Sequence, residues 1–125
     1  MSAIAFDIPE DIRAMRDGLR AFAEAEVLPR HEANRDLFED QRRLYNEDGR
    51  FSDELLQLIG EVRRAASKAG YYQMCVPEHL GGGGMGHLAY FVGWEELFRV
   101  CGPQNWLMLY AVSHWAFGPS RMLEK

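Results

Sequence analysis

Residues 76–102 read VPEHLGGGGMGHLAYFVGWEELFRVCG: a Pro-Glu step, four consecutive glycines with a fifth two residues on, and a helix-length segment closed by another glycine. Gly81, Gly83 and Gly86 satisfy the pattern G-x-G-x-x-G. A dinucleotide fingerprint needs more: a strand directly before the first glycine, a helix opening within the motif, and an acidic residue about twenty positions on for the ribose. Here Pro77, Glu78, His79 and Leu80 separate the strand-like run YYQMCV from Gly81, and Glu95 and Glu96 come too early. No Lys-Ser or Lys-Thr follows the glycines, so a P-loop is excluded too. Gly81, Gly82, Gly83, Gly84 and Gly86 therefore read as a structural turn, with backbone freedom rather than phosphate binding as the reason for them.

Working outward, the flanking segments carry helical signals. Toward the N-terminus, Ser52 caps a helix with Asp53 and Glu54 in its first turn, where the helix dipole favours carboxylates. Leu55, Ile59, Val62, Ala66 and Ala69 then recur at four and three, and Lys68 with Gly70 supplies the ending. Before that, Asp7, Pro9 and Glu10 form an acidic cap and first turn. Ile12, Met15, Leu19 and Phe22 make one stripe, with Arg13, Arg16, Asp17, Arg20 and Glu24 facing outward and Pro29 expected to end the helix. Between these helices, residues 30–49 are mostly polar, with Leu37, Phe38, Leu44 and Tyr45 as anchors of a loosely held exposed helix or connector.

On the other side, a helix is expected from His87 to Val100, closed by Gly102 and Pro103. Residues 105–117 are apolar almost all round and predict a buried central helix, broken at Gly118 and Pro119. Ser120 is then placed to cap a further helix, which SRMLEK barely begins; short isolated helices lack stability without packing partners. The expectation is one all-α domain over residues 1–125, an up-and-down bundle of four to five helices, belonging to a longer chain or packed against a partner.

Composition narrows the function classes. The 125 residues carry 14 Lys and Arg against 19 Asp and Glu, a net charge of -5, which gives no basic excess for gripping nucleic acid. No apolar run reaches a membrane span, and MSAIAFDIPEDIR has neither the basic nor the apolar region of a secretory signal, so a cytoplasmic protein is expected. Cys75 and Cys101 read as buried thiols rather than a disulfide or metal half-site. His31, His79, His87 and His114 lack the spacing of a zinc site. Glu95 and Glu96 point about 100° apart on a helix and cannot act as a carboxylate pair. Trp94, Trp106 and Trp115 suit packing or an apolar pocket. No residue stands out as a nucleophile.

The ordered set IRAMRDGLRAFAEAEVLP, GRFSDELLQLI and AGYYQMCVPEHLGGGGMGHLAYFVGWEELFRVCG resembles the N-terminal helical domain of the acyl-CoA dehydrogenase family, from Phe6 to Leu123. In that family a glycine after a helix leads to a short segment, Pro-Glu, a glycine-rich turn and a helix with a Glu-Glu-Leu step, here Glu95, Glu96 and Leu97. Departures are the longer polar stretch from Leu37 to Glu47 and the uninterrupted run Gly81 to Gly84. The resemblance implies α,β-dehydrogenation of an acyl-CoA thioester. FAD is held mainly by a β domain and a C-terminal helical domain that these residues do not contain, and the base lies in the C-terminal domain in most members. It thus implies no catalytic residue here, those two domains and acyl-CoA as partners, and a homo-oligomer. This domain would contribute apolar wall near the acyl chain, with Leu107, Met108, Ala111 and Val112 as candidates and His114 and Trp115 behind them. The alternative is a stand-alone helical interaction module that dimerises through its apolar last helix.

Overall fold

A computed structural model describes residues 7–114 and 122. Among them the fold is all-α: helices α1 (Glu10–Phe22), α2 (Leu28–Ala33), α3 (Arg35–Glu39), α4 (Asp53–Ala69) and α5 (Gly86–Cys101), joined by a π-helical turn and short 3-10 turns. The only β pairing among the described residues is an isolated antiparallel bridge between Tyr45 and Phe51.

The stripe expected on α1 is the buried one: Ile12, Met15, Leu19 and Phe22 all face the core. They pack along α5, which presents Ala89, Val92, Gly93, Trp94 and Leu97 in return. The start of α1 differs from expectation. Pro9 occupies the cap position and its carbonyl accepts from Arg13 N at 2.9 Å, while no side chain, Asp7 included, caps the helix.

Pro29 does not end the helical path. Residues Ala23–Val27 form a π-helical turn, in which the Leu28 amide reaches back five residues to the Ala23 carbonyl, and Pro29 then sits in the first turn of α2. A proline costs little there, because a first-turn amide has no intrahelical partner to lose. The polar connector is ordered by two anchors: Leu37 on α3 and Leu44 in a 3-10 turn (Gln41–Leu44) are buried, Phe38 is partly buried, and Tyr45 stays exposed.

In α4 both ends follow the sequence. Ser52 Oγ accepts from Leu55 N at 3.3 Å, and Gly70 takes the left-handed conformation at φ 91° while Tyr71 N donates back to the Ala66 carbonyl at 2.9 Å. Ser52→Ala is expected to cost about 1 kcal/mol in urea unfolding, the usual value of a helix cap; no measurable change would mean that water replaces the serine at no cost.

Two segments depart from expectation. YYQMCV is a succession of turns, not an extended strand, because the Gly83 and Met85 amides close onto the Gln73 and Met74 carbonyls and curl the segment around the glycine loop. Residues 105–114 do not form a long α-helix: a 3-10 turn (Leu107–Tyr110) is followed by bends. The Ser113 amide donates to the Tyr72 carbonyl at 2.8 Å instead of to its own helix, which draws the chain away from helical continuation. The expected burial is met even so, since Leu107, Met108, Ala111 and Val112 are all 0–1% exposed. The Gly118–Pro119 break, the Ser120 cap and Trp115 lie outside the described residues.

Candidate functional site

The 3-10 segment is fixed at its start by Asn105, itself buried, whose Oδ1 accepts from Met108 N at 3.0 Å. This seats Leu107, Met108, Ala111 and Val112 in the common core against α4. Tyr110 lies beneath the Arg63 guanidinium, 4.8 Å from its ring centroid, and Trp106 meets Phe51 edge-on at 6.1 Å. Beyond them His114 stacks on Trp94 at 4.8 Å between ring centroids, with Nδ1 3.1 Å from the Tyr90 hydroxyl. His114 itself is exposed rather than sunk in the core, as a histidine on an all-apolar helix would have been. The four wall candidates thus form one buried apolar layer, and His114 sits at its edge with two aromatic neighbours.

The glycine loop answers the dinucleotide question by where its amides go. Gly81 N donates to the Glu78 carbonyl, Gly82 N to Pro77, Gly83 N to Gln73, Gly84 N to Val76 and Met85 N to Met74, at 2.9–3.1 Å. A phosphate cradle needs such donors free and converging outward. All five are engaged inside the protein, so the loop does not fit a dinucleotide phosphate, that of FAD included. Gly82 is held so close to the Val76 carbonyl that an added Cβ would overlap it.

The feature not anticipated from the sequence is Glu96. It is 4% exposed on α5, accepts from Arg20 Nε of α1 at 2.5 Å, and accepts from Arg99 one turn on at 3.1 and 2.5 Å. The Arg99 and Arg20 hydrogen bonds outweigh the burial that opposes them and hold the Glu96 carboxyl down to about 2. A carboxylate so stabilised stays ionised at neutral pH and is a poor proton acceptor, which marks Glu96 as a clamp between α1 and α5 rather than a base. The Glu96–Arg99 half was readable as an i,i+3 pair; the Arg20 half joins residues 76 apart and has no local signature.

Both thiols are unpaired, and burial pushes Cys75 and Cys101 each up to about 11, well above the range of a reactive thiolate. His31 stacks on Phe38 at 4.6 Å, and burial lowers its pKa. Among the described residues no group of three or more His, Cys, Asp or Glu could hold a metal ion, and no helix is long and apolar enough to cross a membrane.

Comparison with known proteins agrees with the arrangement. The family described as acyl-CoA dehydrogenase, N-terminal domain, matches residues 9–120. The short-chain specific acyl-CoA dehydrogenase, mitochondrial, of Sus scrofa is 28% identical over 102 residues, which are 82% of this chain and 20% of that protein. The chain thus spans about a fifth of the length of this curated relative. No solved structure gives a significant match. With nearly all of the described helices inside the matched range, the chain belongs to the acyl-CoA dehydrogenase N-terminal domain family.

Proposed function

We propose that these residues are the N-terminal α domain of a flavin-dependent acyl-CoA dehydrogenase, working with a β domain and a C-terminal helical domain and assembling with further copies. The observation that carries this reading is the family match over residues 9–120 together with the share, a fifth, of a full dehydrogenase that the chain spans. Bound FAD supplies the acceptor for the hydride from the β carbon of an acyl-CoA. The task of this domain is positional: Leu107, Met108, Ala111 and Val112 form apolar wall beside the acyl chain and keep water from it, with His114 at the rim. What supports that role is their apolar chemistry, since an acyl tail lies best along a layer without polar groups; their burial is within this chain's own core and does not bear on it. No residue here is assigned as the base. The two unpaired thiols suit a reducing compartment, which we take to be the cytosol; "mitochondrial" belongs to the name of the pig protein.

The test is to isolate the native polypeptide from its source cells, weigh it, and assay flavin absorbance and acyl-CoA-dependent reduction of an artificial electron acceptor. The reading expects a flavoprotein heavier than these 125 residues, and a purified 125-residue chain that neither retains FAD nor turns over. A native polypeptide of this mass alone, without flavin, would overturn it. In the active enzyme Val112→Ala should raise kcat/KM for an acyl chain two carbons longer about tenfold relative to the preferred one, the scale of a methylene-sized gap in an apolar pocket. An unchanged preference across a series of chain lengths would remove Val112 from the wall.

A further inference from the structure

Two adjoining clefts open where the polar connector meets the chain leaving α5. The smaller, about 450 Å³, is lined by Phe38 and Gln41 of the connector and by Gln104, Asn105 and Trp106 after α5. The larger, about 640 Å³, shares Phe38, Gln41, Gln104 and Asn105 with it and extends to His31, Arg35 and Glu39. One wall thus comes from the stretch Leu37 to Glu47, in which this sequence departs from the family pattern.

Asn105 is the fixed point of both clefts. It is 4% exposed, and its Oδ1 is taken by the Met108 amide at 3.0 Å, yet its Nδ2 donates to no atom of the protein. A buried amide donor is costly unless something in the cleft accepts from it. The Gln41 and Gln104 amides and the Trp106 indole N–H, which line the same smaller cleft, also find no hydrogen-bond partner among the described residues.

The lining defines what fits. No charged side chain lines the smaller cleft among the described residues, so the group it takes is uncharged. Side-chain amides pair with the edge of a purine, in the best geometry through two bonds at once, and aromatic side chains take its face. Here three amides stand with Phe38 and Trp106, and the Phe38 ring is held by His31, stacked on it at 4.6 Å. In the larger cleft Arg35 is already bonded to Glu32 at 2.7 Å, and His31, its pKa lowered by burial, is mostly uncharged at neutral pH. A phosphate would meet no unengaged cation there, and the Glu39 carboxylate would oppose it; sugar hydroxyls can donate to that carboxylate instead.

We propose that the joined clefts bind an unphosphorylated purine nucleoside, its base against Phe38 and Trp106 with one edge on Asn105 Nδ2 and the Gln41 and Gln104 amides, and its sugar toward Glu39. This does not rest on the enzymatic reading. With one base stacked and a few hydrogen bonds gained, the Kd is expected at roughly 0.1–1 mM.

Adenosine titrated into the isotope-labelled 125-residue chain and followed by NMR tests it, with AMP as the charged comparison. The Trp106 indole signal and the Asn105 and Gln104 side-chain amide signals should shift together and saturate, while the indole of Trp94, which lines neither cleft, stays in place. Asn105→Asp keeps an oxygen for the Met108 amide but removes the donor, and should weaken binding about tenfold. Gln104→Ala, at an exposed position where folding is not at stake, should weaken it about threefold. AMP should bind no more tightly than adenosine. Far-UV circular dichroism checks that each variant is folded. No saturable shift of these signals at about 5 mM adenosine, binding that neither variant weakens, or AMP binding about tenfold more tightly than adenosine overturns the proposal.

Discussion

Gly82→Ala should destabilise the chain by about 3 kcal/mol, and Gly81→Ala by only about 1–2 kcal/mol, although Gly81 has the more demanding backbone angle. Gly81 has φ +92° with nothing within 4 Å of the position a Cβ would take, so its substitution meets only the left-handed penalty. At Gly82 a Cβ would overlap the oxygen and carbon of the Val76 carbonyl, which are backbone and cannot turn aside like a side chain. Relief requires moving Val76, whose carbonyl accepts from the Gly84 amide, so the strain spreads to the rest of the loop. In thermal unfolding the Gly82 variant should melt roughly 10–15 °C below wild type. Equal losses at the two positions would mean that the loop needs glycine for its angles alone, and that the close approach is not what shapes it.

The second large effect concerns the clamp between α1 and α5. Arg20→Met should cost about 2–3 kcal/mol, because it leaves the buried Glu96 carboxylate with a single cationic partner that is itself largely solvated. Adding Glu96→Gln to Arg20→Met should recover part of the loss, since an amide carries no charge to strand. If the double variant is as unstable as the single one, charge burial is not the reason. The same contact sets an acid limit. Glu96 is held to about 2 against an ordinary 4.5, so its ionised form is favoured in the folded state. Its contribution is therefore complete above the unfolded value, near pH 4.5, and is lost as pH falls through the folded one, near pH 2. Chemical unfolding across that window should show wild type losing stability while Glu96→Gln, with nothing to titrate, loses less.

Elements whose determinants are local were legible in the sequence. The α1 stripe, the Ser52 cap and the Gly70 ending of α4 each depend on residues within a turn or two of one another, and each is where the spacing puts it. Two of the misreadings share one cause: a distant backbone partner outbids local preference. The segment 105–114 has the composition of a buried helix, but the Ser113 amide goes to Tyr72. YYQMCV has strand-like residues, but its carbonyls serve the glycine loop. Glu96 was weighed only against Glu95, its chain neighbour; the partner that sets its character is 76 residues away. Of the wall candidates, burial could be read from composition, since an uninterrupted apolar run has to be covered. That His114 would sit exposed on Trp94 beside Tyr90 could not, because it follows from how α5 meets the segment 105–114.

The π-helical turn at Ala23–Val27 amounts to one extra residue wound into a continuous helix. Deleting a single residue there would let the Leu28 amide meet the same Ala23 carbonyl four residues back, so ordinary winding would resume with the helix beyond it in nearly its present phase. Leu37 and Leu44 would then keep their places in the core they anchor. The widened turn is thus where this helical path tolerates losing a residue; the same deletion inside α1 or α4, with no such turn to take it up, would rotate everything after it by about 100°.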